Sequence, residues 1–138
     1  MLMPDLLLDT HAWIWLMNGD ETLSKLARKE IELAWGKGAL GVSAISVWEV
    51  GMLEKKQRII LNKPCLEWVK QALQCGILLL PITPEIAIES CHLPDYSSGD
   101  PADRIIIATA RIESRVLVTR DERILAYGLT QRVNTLQG

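Results

Sequence analysis

Four carboxylates stand beside apolar runs. Asp9 ends the apolar run Leu6-Leu7-Leu8, and Glu49 is the only charge from Ala39 through Leu53. Asp103 precedes Ile105-Ile106-Ile107-Ala108, and Asp121 follows the apolar run 116–119 almost at once. Desolvating a lone carboxylate costs several kcal/mol, so acids in such surroundings require partners. If the four converge, mutual repulsion raises their pKa values unless a cation sits among them. Oxygen-only ligands favour a hard ion, Mg²⁺ or Mn²⁺. Such a cluster suits phosphodiester hydrolysis, in which a metal activates water, stabilises developing charge and orients the phosphate. Competing nucleophiles are absent: the chain has no G-x-S-x-G, no P-loop and no Cys–His context, and no H-E-x-x-H links His11 and His92.

Each acid also has a structural alternative. Asp9 and Asp121 sit where helix N-caps belong, Asp100 before Pro101 reads as a cap, and Asp103 can be the return partner of a capping box. Glu49 lies inside a helix, where no cap explanation reaches it. Its alternative is exposure on a solvated stripe.

Bringing these acids together requires elements that end at one edge. Leu6-Leu7-Leu8 reads as a buried strand, followed by a short helix over 13–17 that stops at Asn18-Gly19. Thr22 is placed to cap a second, charged helix closed by Gly36 and Gly38. Residues 39–45 read as a second buried strand, with Ser46 capping a helix over 47–57. Pro64 opens a helix that stops at Gly76, and 77–82 reads as a third buried strand. Pro84 starts a short helix, 94–99 is a loop, and Asp100-Pro101 opens a helix over 102–113. A fourth strand over 116–119, a short helix over 121–127 and a weaker strand over 132–136 complete the chain. Continuous apolar strands alternating with helices define an α/β, three-layer sandwich with a central parallel sheet of four or five strands, expected to form one domain over 1–138. Sites in such sheets form beyond the carboxyl ends of the strands.

Composition agrees with that class. The chain has 138 residues, 49% hydrophobic and 23% charged, which excludes disorder, collagen and coiled coil. A formal charge of −2 excludes a polybasic nucleic-acid coat, though a segregated basic surface stays open. No stretch approaches the about 18 apolar residues of a membrane span, and Met1 to Asp5 carry no basic leader, so a cytoplasmic location is expected. Cys65, Cys75 and Cys91 show no ligand spacing and read as reduced, buried fillers. Of five tryptophans, Trp13 and Trp15 cannot share one helical face, which makes one of them a candidate interface residue.

These blocks resemble the PIN-domain superfamily, and within it toxin ribonucleases of the VapC kind. The matching residues are Leu6-Leu7-Leu8-Asp9-Thr10-His11-Ala12-Trp13, Ser43-Ala44-Ile45-Ser46-Val47-Trp48-Glu49-Val50, the run from Asp100-Pro101-Ala102-Asp103-Arg104 to Ala110, and Leu117-Val118-Thr119-Arg120-Asp121. Their order and spacing cover nearly the whole chain. Ala102, where many relatives carry an aromatic, and the bulky Trp48 are the departures. The resemblance implies a metal-dependent endoribonuclease using Mg²⁺ or Mn²⁺ at Asp9, Glu49, Asp103 and Asp121. Thr10, Ser46, Asp100 and Thr119 would support those acids, and Arg104, Arg120 and Arg123 would hold RNA phosphates. It further implies an RNA substrate, a small antitoxin partner laid against Trp13 or Trp15, and a homodimer. A non-catalytic PIN scaffold that binds nucleic acid or protein, and a housekeeping nuclease without antitoxin, remain alternatives. A haloacid-dehalogenase-type phosphatase needs an Asp where His11 stands, and a receiver domain needs an Asp after strand three, where Thr83 follows Ile82.

Overall fold

The computed structural model describes residues 5–138, so Met1 to Pro4, on which the reading of no secretion leader rests, lie outside the described residues. Strand β1 (Leu6–Leu8) is the centre of a five-stranded sheet. With β2 (Leu40–Ser43), β3 (Leu78–Leu80), β4 (Val116–Thr119) and β5 (Thr135–Gln137) it forms the order β3-β2-β1-β4-β5. All four pairings are parallel. Helices α1 (Thr10–Asn18) and α2 (Lys25–Gly36) join β1 to β2, and α3 (Ala44–Lys55) and α4 (Cys65–Leu73) join β2 to β3. Helices α5 (Pro84–Cys91) and α6 (Pro101–Ile112) lead to β4, and α7 (Glu122–Gly128) leads to β5.

Successive side chains of a strand point to opposite faces. Leu6 and Leu8 therefore enter one core, with Trp13, Ile31, Val50 and Trp68 from α1 to α4. Leu7 enters the other, with Ile86, Ile106, Ile107 and Ile124 from α5 to α7. Strand order steps from β1 out to β3 and then returns to the other side of β1. That reversal, between β1 and β4, opens a crevice beyond their carboxyl ends. The register Leu8↔Val118 sets Asp9 and Thr119 side by side at its mouth.

Several expectations require correction. Ser24, not Thr22, caps α2, accepting from Ala27 N–H across 3.1 Å. Ser43, not Ser46, caps α3, because β2 ends sooner than its apolar run; its hydroxyl accepts from Ile45 N–H. The third strand is not buried: Leu79 is 46% exposed in β3, which among the described residues is a sheet edge paired with β2 alone. Cys75 and Cys91 are exposed, so neither is a core filler, whereas the half-buried Cys65 packs at the edge of the first core. Trp13 is fully buried against Trp68, at 5.2 Å between ring centroids, and offers no interface. Among the described residues no helix is long and apolar enough to cross a membrane.

Candidate functional site

Each acid reaches the crevice through the start of a helix, except Glu49, which reaches it from within α3. Asp9 leaves β1 and caps α1, its Oδ1 accepting from Ala12 N–H at 2.9 Å. Asp121 leaves β4 and caps α7, accepting from Arg123 and Ile124 N–H at 2.9 and 3.1 Å. Asp100 caps α6 by accepting from Asp103 N–H, which places Asp103 in the first turn of that helix. Capping and site roles are thus compatible. A carboxylate has two oxygens, and in each of these caps one oxygen, Oδ1, takes the backbone N–H groups.

Thr119 joins two of the acids. Its hydroxyl donates to Asp9 Oδ2 at 2.5 Å and accepts from Asp121 N–H at 3.0 Å. Thr10 secures a third: it donates to Glu49 Oε1 and lies 2.9 Å from Ser46 Oγ. Thr10 has a single hydroxyl proton. With that proton on the carboxylate, Ser46 supplies the hydrogen between the two hydroxyls, and the buried Ser46 orients Thr10 toward Glu49. The chain therefore brings Glu49 to the residue next to Asp9, and it is not a solvated bystander.

The electrostatics follow from this crowding. Burial is the main force pushing the Asp103 carboxyl up to about 7, reinforced by repulsion from Asp100, Asp121, Glu49 and Asp9. Burial also raises Asp9 and Glu49, opposed by the Thr119 and Thr10 hydroxyls respectively. No cation partners any of these acids: among the described residues the ion pairs are Arg111–Glu89 and Arg132–Asp95, both elsewhere.

The donor set fits a hard divalent ion, since it is built from carboxylates and hydroxyls with repulsion left unbalanced. Among the described residues no three acidic, imidazole or thiol side chains stand close enough to enclose one ion directly. Mg²⁺ typically retains several waters and takes one or two carboxylates, so sparse direct ligation is consistent with it.

The three arginines divide. Arg104 is committed to the fold, in correction of its expected phosphate role: it donates to the carbonyls of Ser90, Tyr96 and Ser98 at 2.8 to 3.0 Å and lies over the Tyr96 ring. Arg120 donates to Thr22 O and covers Trp15, away from the acids. Arg123, exposed at the start of α7 beside Asp121, has only a long 3.4 Å contact to Ser98 Oγ and stays available. Sequence reasoning missed the ring of Trp48. It is 58% exposed next to Glu49, whereas the half-buried Trp15 lies under Arg120. It also missed His11, whose imidazole stands near enough to Asp9 and Glu49 to favour their ionised forms against burial.

A doubly wound parallel sheet with carboxylates gathered at its switch point defines an α/β protein of the acid-cluster class. Residues 6–128 match the model of the PIN domain, and the chain belongs to that family. It is 38% identical over 125 residues to Ribonuclease VapC22 of Mycobacterium tuberculosis (strain ATCC 25618 / H37Rv), covering 91% of this chain and 93% of that protein. Among solved structures, a toxin-antitoxin complex from Klebsiella pneumoniae matches at TM-score 0.58 and 27% identity, over 84% of this chain and 86% of that one. DNA-bound VapBC from Salmonella typhimurium matches at TM-score 0.71 and 16% identity over 98% of both chains, a likeness of fold.

Proposed function

We propose that this chain is a metal-dependent endoribonuclease, the toxin of a toxin–antitoxin pair, that hydrolyses RNA phosphodiester bonds at Asp9, Glu49, Asp103 and Asp121 with Mg²⁺ or Mn²⁺. The supporting observation is that Thr119 ties Asp9 to Asp121 and Thr10 ties Glu49 beside Asp9, next to an Asp103 carboxyl that burial and repulsion from four acids push up to about 7. Relatives whose names are ribonuclease and toxin-antitoxin complex supply the substrate class and the partner. On this reading the protein acts in the cytoplasm, is restrained by a small antitoxin and pairs as a homodimer.

Asp9 and Glu49, held in place by Thr119 and Thr10, would hold the ion with Asp103 and Asp121, some of them through its retained waters rather than directly. Bound there, it would supply Lewis acidity, a more acidic water and charge balance at the phosphate. Asp103, whose carboxyl is pushed up to about 7 in the ion-free fold, would give up its proton as the ion binds, so ion binding would be tied to proton release. Arg123 would hold a neighbouring phosphate oxygen. Asp100, which caps the amide end of α6, fixes Asp103 without needing to touch the substrate.

The test is incubation of the pure chain with structured and unstructured RNA, with Mg²⁺, with Mn²⁺ and with excess EDTA. Cleavage with metal, its loss in EDTA and its loss in Asp9→Asn are expected. Undiminished cleavage in EDTA would overturn the metal reading. The spacing of the acids, too wide among the described residues for three to enclose one ion, favours as a second reading a scaffold that binds RNA without cutting it. RNA binding without cleavage under every metal condition would establish that reading instead.

A further inference from the structure

Next to the carboxylates, a cavity of about 440 Å³ opens between α3 and the start of α6. Its walls include Trp48, Glu49, Lys56 and Arg58 on the α3 side, and Asp100, Pro101 and Ala102 on the α6 side. The size is within the roughly 300–1,000 Å³ of clefts that take small organic groups. Glu49 lines the cavity and takes the Thr10 hydroxyl at the acid cluster, so the cavity and the cluster share a wall.

Three features select the occupant. First, Trp48 presents its ring to water at 58% exposure, a large apolar π-face that no other described part of the chain covers. Second, Lys56 and Arg58 bring two cations to a lining whose carboxylates, Glu49 and Asp100, belong to the neighbouring acids. Helix α3 ends in a turn where Arg58 N–H returns to Leu53 O and Gln57 N–H to Glu54 O, with Gln57 left-handed at φ 57°. This Schellman closure sets Lys56 and Arg58 at the same mouth. Among the described residues neither forms an ion pair. Third, Pro101 and Ala102 on the α6 side are small and apolar, a surface against which a flat group can pack. A flat aromatic body tied to an anionic backbone satisfies all three.

We infer that this cavity is a nucleobase subsite: an unpaired base of the RNA stacks on Trp48 while Lys56 and Arg58 hold the phosphates beside it, placing the adjoining phosphodiester at the carboxylates. The inference rests on the ribonuclease reading and narrows its substrate to RNA with unstacked bases. A paired base cannot enter, because base edges and faces of a duplex are held within its own stack. Stacking on an aromatic ring tolerates any base, so the subsite selects strand state before sequence.

The experiment measures binding of a fluorescein-labelled unstructured RNA oligonucleotide, and of its fully paired duplex, to the full chain in EDTA, and cleavage of both with Mg²⁺. Trp48→Ala should weaken binding of the unstructured oligonucleotide by about 5- to 150-fold, the range for one lost base stack. Trp48→Phe should restore most of it, and the weak duplex binding should not change. Lys56→Ser and Arg58→Ser should each lower the salt slope of binding by about 1. The oligonucleotide should quench tryptophan emission in the parent and not in Trp48→Phe, a readout that survives any folding defect of the alanine variant. If the parent cleaves RNA while Trp48→Ala binds and cleaves as the parent does, the subsite is overturned and the ribonuclease reading stands. If binding depends on Trp48 but no metal elicits cleavage, the subsite stands and the ribonuclease reading falls. Intact RNA binding with loss of a co-purifying antitoxin in Trp48→Ala would assign the cavity to a protein and overturn the inference.

Discussion

Thr119 Oγ1 donates to Asp9 Oδ2 across 2.5 Å, a bond between side chains 110 residues apart in the chain. The parallel register causes it: Leu8 pairs with Val118, and Asp9 N–H donates to Val118 O at 3.0 Å, so the next residue of each strand shares the sheet edge. The same hydroxyl accepts from Asp121 N–H. One buried threonine therefore fixes the spacing of two of the four acids.

Replacing Thr119 by Val keeps the shape and removes the hydroxyl. Asp9 then loses a donor, and the Asp121 N–H loses its acceptor beside a fully buried side chain. A loss of about 1–3 kcal/mol in folding stability is expected, the cost of stranding buried polar groups. Divalent-ion affinity should fall with it, since Asp9 is no longer held in position. Urea unfolding and calorimetric titration of Mg²⁺ check the two effects; a variant as stable as the parent would deny Thr119 this role.

Asp103 gives the metal-free protein a pH dependence of definite sign. Its carboxyl titrates near 3.8 in an unfolded chain and near 7 in the fold. Between those values the folded state keeps a proton that the unfolded state has released, so stability is full below the lower value and declines as pH rises through the higher one. Thermal midpoints in EDTA should be higher near pH 5 than near pH 8. Asp103→Asn should flatten that slope, and Mg²⁺ should restore stability to the parent at the higher pH. A slope unchanged by Asp103→Asn would locate the titrating group elsewhere.

The fold was legible where a strand is buried on both faces, because Leu6-Leu7-Leu8 has no polar residue to mark an outer side. It was illegible at β3, whose leucines look the same in sequence, yet Leu78 and Leu79 lie exposed at the edge of the described sheet. Ser43 and Ser46 are equally able to cap a helix. What decides between them is the ladder: Ser43 still pairs with Leu80, and the chain turns into α3 immediately after. The acids themselves stood out by isolation in an apolar context. Their supports were harder to read, since Thr10 meets Glu49 only through the packing of α1 against α3, and the exposure of Trp48 depends on tertiary packing that its place in an apolar run does not show.

Arg104 should behave as a brace. It satisfies carbonyls of Ser90, Tyr96 and Ser98, holding the loop between α5 and α6 against the helix that carries Asp103. Arg104→Ala should cost roughly 2 kcal/mol in stability, the range for a charged hydrogen-bond donor. Amide exchange over residues 94–99 should speed up. The salt slope of RNA binding should stay as in the parent, whereas Arg123→Ala should lower it by about 1. The reverse pattern would return Arg104 to the phosphate role.

Glu49→Gln separates a ligand from a structural acid. The amide oxygen of the new side chain can still accept from Thr10, so the link from α3 to α1 persists. What disappears is one negative charge, and with it part of the repulsion that, along with burial, raises Asp103. In EDTA the variant should therefore be as stable as the parent or slightly more stable. Mg²⁺ should now stabilise it less, because ion affinity depends on charged oxygen donors. RNA cleavage at saturating metal should drop by about 100-fold or more if Glu49 positions the ion, a loss of about 2.7 kcal/mol of transition-state stabilisation. Each effect is measured on its own: thermal midpoints with and without metal, then single-turnover cleavage. Unaltered Mg²⁺ stabilisation and cleavage in Glu49→Gln would leave Glu49 as a partner of Thr10 alone, and would confine the acid cluster to Asp9, Asp103 and Asp121.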